Sequence, residues 1–395
     1  MSSIRTVLTT LLLSLVTFAA SAATNLATPT PAPRPTPAPA PVPAAPQVSA
    51  KAYLLMDYHS GDVLAEKDGE GRIEPASITK LMSAYVVFNE IEAGRLKMDD
   101  MVRISKKAWR MEGSRTFLEV GTQVPVSTLI QGMIVQSGND ATVALAEHIA
   151  GSEQTFVDMM NQTAAKLGLT HTHFADVTGL PNPQHYTTAR DIARLTRALI
   201  TAYPEYYKYY SEKKFTYNGI TLYNRNKLLW RDPTVDGVKT GHTDSAGYCL
   251  VASAKRDGMR LIAVVLGDRS EESRADSGQA LLNYGFRFFE TRELYRAGQP
   301  LRQVQIWKGT EETLPLGLTK DLYVTFPRGQ YKHLRASANF NPEIIAPVQK
   351  NKQFGTLNVS LDTKVLAERP LVSLQAVDEG GWWRRLSDSV RLWFK

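Results

Sequence analysis

A single cysteine, Cys249, is the only thiol in 395 residues, and this excludes an intramolecular disulfide, a zinc finger or an iron–sulfur cluster. It lies in an apolar, strand-like run and reads as a small core residue rather than a nucleophile. No His-Glu-x-x-His motif occurs, and His171-Thr172-His173 has no further clustered acids or histidines, so neither a metal nor a cofactor is expected. The usual nucleic-acid motifs are missing. The net charge of +7, from 46 Lys and Arg against 39 Asp and Glu, is modest and unclustered through the middle of the chain, so nucleic acid is not an expected partner. What is present is 43% hydrophobic and 22% charged residues, enough to bury a sizeable core over a length that favours two domains.

The two ends differ from the middle. Residues 1–22 carry Arg5, an apolar stretch from Val7 to Ala20 that is short and punctuated by Thr and Ser, and then Ala20-Ser21-Ala22, the small residues of a cleavage site. This predicts a secretion signal, with an uncleaved anchor as the alternative. Residues 23–49 follow as a tether: nine of the 21 prolines lie between Pro29 and Pro46, a composition that predicts an extended, solvated spacer. At the other end, residues 378–395 predict an amphipathic helix. Trp382, Trp383, Leu386, Val390, Trp393 and Phe394 are its apolar and aromatic residues, and Arg384, Asp388, Arg391 and Lys395 recur on the other face. That composition suits an anionic membrane surface, with docking on the protein's own core as the alternative. Gly380-Gly381 is expected to let the helix pivot freely.

Between them the texture changes once. Over residues 50–292 strand-like runs such as Ala52 to Met56 alternate with helix-like ones such as Ile78 to Ile91 and Thr142 to Ile149, predicting an α+β domain. Over residues 293–377 short alternating runs separated by Gly, Pro, Asn and Asp predict a small all-β sandwich or barrel without catalytic groups.

Three short motifs in the first domain carry chemistry. Ser77-Ile78-Thr79-Lys80 opens an apolar helical run, so the Lys80 amine can reach the Ser77 hydroxyl one turn away. An amine activates a serine only when neutral, which demands burial or a neighbouring cation. Ser137-Gly138-Asn139 falls between an apolar run and the next helix, where a loop presents a hydroxyl to relay a proton and an amide to grip substrate or lysine. Lys239-Thr240-Gly241 lies on the first strand of a hairpin and offers a cation and a hydroxyl to a carboxylate, with a glycine that lets a ligand lie against the backbone. Each motif alone is weak: Ser211-Glu212-Lys213-Lys214 and Ser337-Ala338-Asn339 repeat the first two patterns elsewhere.

Taken in order, 60 and then 102 residues apart, the three motifs resemble the penicillin-recognising serine enzymes, the superfamily of penicillin-binding proteins and serine β-lactamases. Further stretches, Thr187-Thr188-Ala189-Arg190-Asp191, Asn224-Arg225-Asn226 and Val235 to Thr243 among them, are similar to the low-molecular-mass D-alanyl-D-alanine carboxypeptidases of the penicillin-binding protein 5 and 6 type. The long Pro-Ala tether departs from that family, whose mature chains begin close to the catalytic domain. The resemblance implies helices around an antiparallel sheet followed by a β sandwich, with a serine acyl-enzyme formed on peptidoglycan stem peptides and blocked by β-lactams. It implies Ser77 as nucleophile, Lys80 as base, Ser137 and Asn139 as proton shuttle and positioning group, and Lys239 as the cation keeping Lys80 neutral. Thr240 and Arg225 would hold the terminal carboxylate, with a structural salt bridge as the alternative for Arg225. Gly138 and Gly241 would line the substrate, and the backbone N–H groups of Ser77 and His242 would meet the oxyanion, leaving the His242 imidazole without an assigned role.

The expected location is the outer face of a bacterial cytoplasmic membrane, the periplasm in a Gram-negative cell. A class A β-lactamase is disfavoured because no Glu-x-x-Leu-Asn motif lies between Ser137 and Lys239. A cross-link endopeptidase and a catalytically silent wall-binding relative remain the alternatives.

Overall fold

The computed structural model describes residues 42–340 and 343–394; the expected signal peptide (1–22), the first part of the expected tether (23–41) and Lys395 lie outside the described residues. The first domain is built on a five-stranded sheet of β1 (Ala52–Asp57), β2 (Val63–Lys67), β3 (Val235–Thr243), β4 (Gly247–Arg256) and β5 (Met259–Asp268), in the order β2-β1-β5-β4-β3. Every neighbouring pair is antiparallel. The period of two sends Leu54, Met56, Ile262 and Val264 into one core and Tyr53, Leu55, Ala263 and Val265 into another. With both faces covered, these strands read as continuous apolar runs. The β4–β5 turn is Asp257-Gly258, with φ of 49° and 82°, the two-residue turn that Asp-Gly favours in hairpins.

On one face pack α1 (Lys80–Glu92), α2 (Asn139–Ala150), α3 (Glu153–Lys166) and α4 (Ala189–Ala202); on the other packs α5 (Glu271–Phe288). In α1 the side chains of Leu81, Met82, Ala84, Val87 and Phe88 are all fully buried, so the helix is surrounded rather than laid on the surface. Burial of each of its larger apolar side chains contributes about 1.5–3 kcal/mol, which fixes the helix and the turn before it. Two expectations shift by a few residues. Ser77 lies in a 3₁₀ turn, Ala76–Thr79, that feeds α1, and α2 begins at Asn139, so Asn139 is the first residue of a helix rather than part of a loop.

Residues 42–49 do not form a solvated spacer. Val42, Ala45 and Val48 pack against the α5-side core, Tyr284 donates to the carbonyl of Pro43 at 3.0 Å, and Ser49 is hydrogen-bonded to Asp268. The three apolar residues recur every third position, the period of an extended proline-type chain, so one face of this stretch is apolar. That periodicity, hidden in the Pro-Ala composition, is why the end of the tether docks.

In the second domain the strand Phe289–Tyr295 pairs with Leu322–Pro327. A six-stranded sheet runs Leu334–Phe340, Gln353–Leu361, Lys364–Ser373, Thr313–Gly317, Arg302–Trp307, Ile344–Ile345. Val324 and Phe326 of the pair pack with Leu357 and Val359 of the larger sheet, which is the sandwich the alternation predicts. The expected boundary at 292/293 falls inside the strand Phe289–Tyr295. That strand and its partner Leu322–Pro327 fasten the two domains: Thr291 Oγ1 donates to the buried Asp57 carboxylate at 2.7 Å, and Thr325 bonds Ser60 at 2.7 Å.

The terminal helix α6 (Trp382–Trp393) forms as expected, and in the structure it is docked on the second domain. The Gly380 N–H donates to the Lys308 carbonyl at 2.8 Å, and a Cβ at Gly380 would lie 2.7 Å from the carbonyl oxygen of Gly309, so the glycine serves close packing. Asp388, buried in an otherwise exposed helix, accepts the Lys308 N–H at 2.7 Å, and Arg384 pairs with Glu312 at 3.0 Å. The helix is held by its polar face. Its apolar face is left outward, from Val390 at 49% exposed to Trp393 at 85%. No described helix is long and apolar enough to cross a membrane.

Candidate active site

The three motifs converge on one cleft of about 430 Å³, lined by Ser77, Ser137, Asn139, Thr240, Gly241, His242 and Arg225, among others. The turn Ala76–Thr79 supplies the nucleophile, the start of α2 supplies the second motif, and β3 supplies the third. Ala76 holds φ at 47°, a left-handed conformation uncommon for a residue with a Cβ, and this sharp entry presents Ser77 to the cleft.

Lys80 is fully buried, and its Nζ donates to Ser77 Oγ at 2.9 Å, to Asn139 Oδ1 at 2.7 Å and to the Thr178 carbonyl at 2.9 Å. Burial lowers its pKa from the ordinary lysine value to about 7; the carboxylates of Asp176 and Asp140 oppose this and the Arg225 guanidinium assists it. Half of the amine is therefore available as a neutral base near pH 7. Lys239 is buried too, donates to the Thr240 carbonyl at 3.0 Å, and is held well below the usual lysine range by burial first and then by Lys80, Arg225 and Arg274. The two buried amines repel each other, and each disfavours the protonated form of the other. What depresses Lys80 is chiefly its own burial, with Arg225 as an assisting cation.

Asn139 is clamped at both ends of its amide, since Nδ2 donates to the Glu112 carbonyl at 2.6 Å while Oδ1 receives Lys80. Ser137 takes the left-handed φ of 65° at the end of a π-helical turn, Gly132–Gln136, a local irregularity frequent at functional sites. Its hydroxyl is buried at the cleft and, among the described residues, has no hydrogen-bond partner. Gly241 brings β3 against the nucleophile turn: a Cβ there would lie 3.1 Å from the Ser77 amide nitrogen. The His242 ring lies on the exposed rim, 4.0 Å from the ring of Tyr248. Arg225 reaches the cleft from the loop before a short helical turn and, among the described residues, has no ion-pair partner, which removes the support for a structural salt bridge.

The decoys stay apart from this site. Ser211 ends a 3₁₀ turn before the strand Lys214–Tyr217, and Ser337 and Asn339 lie on an exposed strand. His171 faces Glu70 at 3.5 Å, His173 bonds the Gln184 carbonyl, and Cys249 is buried in the core, where burial pushes its thiol up to about 11.

Sequence reasoning missed the fourth wall. Thr178, Gly179 and Leu180 also border the cleft, and Arg274 of α5, itself buried, donates to the Gly241 carbonyl at 3.2 Å. Gly179, at φ 87°, passes so close to Ala76 that a Cβ would overlap its carbonyl oxygen, 1.8 Å away. No short motif marks this stretch; the only sign is a polar, proline-bearing loop between two helical runs.

Comparison with known proteins agrees with this geometry. The family model described as D-alanyl-D-alanine carboxypeptidase, Peptidase S11, matches residues 40–270, and that of the penicillin-binding protein 5 C-terminal domain matches residues 289–379. The chain is 46% identical over 357 residues to the D-alanyl-D-alanine carboxypeptidase DacA of Escherichia coli, covering 88% of this chain and 89% of that protein. It is 45% identical over 358 residues to DacC of the same organism, covering 89% and 90%. The crystal structure of penicillin binding protein 5 from Haemophilus influenzae superposes with a TM-score of 0.83 at 41% identity, covering 85% of this chain and 99% of that one. On its fold, its cleft and these matches, the chain belongs to the D-alanyl-D-alanine carboxypeptidase family of low-molecular-mass penicillin-binding proteins, of the penicillin-binding protein 5 and 6 type.

Proposed function

We propose that the protein is a serine D-alanyl-D-alanine carboxypeptidase that removes the terminal D-alanine from peptidoglycan stem pentapeptides. Ser77 Oγ attacks the carbonyl between the two D-alanines as neutral Lys80 takes its proton. The tetrahedral intermediate collapses to a Ser77 ester, D-alanine leaves with a proton returned through Lys80 or Ser137, and water then releases the shortened stem. The amides of Ser77 and His242 meet the oxyanion, and Thr240 with Arg225 receives the terminal carboxylate. The observation that carries this reading is the buried Lys80 amine, 2.9 Å from Ser77 Oγ and with its pKa lowered to about 7. β-Lactams would acylate the same hydroxyl.

The exposed aromatic face of α6, with Arg384, Arg385 and Arg391 beside it, supports peripheral attachment to an anionic membrane, and residues 1–22 support export. The site of action is then the outer face of the cytoplasmic membrane, in the periplasm of a Gram-negative cell.

The test is D-alanine release from a stem pentapeptide ending in D-Ala-D-Ala, beside Ser77→Ala and beside a cross-linked dimer as substrate. Release from the pentapeptide that vanishes in the variant is expected. Cleavage of the dimer alone would assign an endopeptidase, and no turnover together with no penicillin labelling would assign a silent homologue. Deleting residues 381–395 should free the protein from anionic vesicles with catalysis intact; undiminished binding would contradict the anchor.

A further inference from the structure

Behind the fourth wall of the cleft lies a polar chain, buried at Thr79 and His185 and half-buried at Asp176, that the reaction as described does not use. Asp176 Oδ1 accepts the Thr178 N–H at 2.7 Å, the Thr178 hydroxyl at 2.8 Å and the Gly179 N–H at 2.6 Å. Its Oδ2 lies 3.1 Å from His185 Nδ1, and His185 Nε2 lies 2.9 Å from Thr79 Oγ1. The two ring nitrogens thus bridge the Asp176 carboxylate and the Thr79 hydroxyl, and the Ala175 N–H also reaches Nδ1, at 3.4 Å. His185 is buried, and Thr79 is fully so. Thr79 belongs to the same 3₁₀ turn as Ser77, and the loop that Asp176 organises ends in the Thr178 carbonyl that receives Lys80.

We infer that Asp176, His185 and Thr79 form a positioning relay, which ties the nucleophile turn to the loop carrying the Thr178 carbonyl and thereby fixes the Lys80 amine between Ser77 and Asn139. This rests on the proposed role of Lys80 as base. The alternative, that the chain is no more than a buried structural network, makes no demand on the base. The relay does, in two ways. It sets the position of one of the three acceptors of Lys80, and a misplacement of about 1 Å at such a site costs on the order of a hundredfold in rate. It also places a carboxylate near the amine, whose other charged neighbours are Asp140, Arg225 and Lys239. Burial opposes ionisation of Asp176, but the hydrogen bonds from His185 and from the amides of Thr178 and Gly179 outweigh it and hold the carboxyl well below the usual carboxylate range. It is charged wherever the enzyme works, and it favours the protonated form of Lys80.

The experiment is the pH dependence of acylation by a fluorescent penicillin, measured on the full chain and on Asp176→Asn, His185→Gln, Thr79→Val and Thr79→Ser, with melting temperatures alongside. The rate rises with pH as Lys80 loses its proton. Removing the Asp176 charge lowers the basicity of Lys80, so the acid limb of Asp176→Asn moves to lower pH while the plateau falls by roughly tenfold to a hundredfold. His185→Gln lowers the plateau similarly. Thr79→Ser, which keeps the hydroxyl, acylates at least about tenfold faster than Thr79→Val. A limb for Asp176→Asn that superimposes on that of the parent, or equal rates for Thr79→Val and Thr79→Ser, overturns the relay. Should Asp176→Asn not fold, the two Thr79 variants decide alone. Parent protein that is not acylated at all would instead overturn the proposed function, so the two failures are distinguishable.

Discussion

Replacing Arg225 by Gln separates two effects that one cation exerts on the same cleft. Arg225 is exposed, lines the cleft and has no ion-pair partner among the described residues, so its removal leaves no buried charge behind. If it receives the substrate carboxylate, the loss is that of a hydrogen bond between charged groups, about 1.5–3 kcal/mol, or roughly 10- to 150-fold in kcat/KM. An amidated peptide lacks the carboxylate and should lose little by this route. The second effect is on the base. Arg225 helps to lower Lys80, so its removal raises the basicity of the amine and moves the acid limb of the profile, expected near pH 7 in the parent, to higher pH. Below that limb the rate follows the neutral fraction of Lys80, falling about 50-fold between pH 7 and pH 5 for a base with a pKa of about 7. Both peptides feel this effect equally, and neither feels it at pH 9, where Lys80 is neutral in both enzymes. Rates of D-alanine release from free-acid and amidated peptides at pH 9 therefore isolate the carboxylate contact, and the same rates from pH 5 to 9 isolate the effect on Lys80. Equal losses for the two peptides at pH 9 would refute the carboxylate role. A limb that does not move would refute the electrostatic coupling.

Gly179→Ala should be destabilising by about 1–3 kcal/mol from backbone strain alone, and by more because its Cβ meets the Ala76 carbonyl oxygen at 1.8 Å; a melting temperature and penicillin acylation rate equal to the parent's would contradict the close approach. Asp388→Ala removes the acceptor of the Lys308 N–H, which costs about 1–3 kcal/mol locally. Amide exchange across residues 382–393 should quicken at least tenfold with acylation of Ser77 unchanged, and unchanged exchange would mean that the helix is not held by its polar face.

Much of the site was legible because serine–lysine chemistry is local in sequence. Ser77 and Lys80 share a helical turn, Ser137 and Asn139 are two residues apart, and Lys239-Thr240-Gly241 is one stretch of strand, so residue type and spacing carry the geometry. The Thr178–Leu180 wall and the relay through His185 were not legible. Their partners are 98 residues apart for Lys80 and Thr178, and 106 for Thr79 and His185, and no local pattern encodes such pairs. In the β domain the alternating runs revealed most strands, but Thr313–Gly317 carries Pro315 and Ile344–Ile345 is two residues long, so neither rises above a turn signal. The terminal helix illustrates a different limit. Its amphipathic pattern was plain, yet the one acid among its cations read as part of a solvated face, whereas Asp388 is the residue that docks.

The most direct test of the central claim, that Lys80-activated Ser77 is acylated, is mass spectrometry of the protein after brief exposure to penicillin. The account predicts one adduct per chain, located on the peptide containing Ser77, absent from Ser77→Ala and formed far more slowly when Lys80 is replaced by Met. An adduct on any other residue, or labelling that persists in Ser77→Ala, would contradict it.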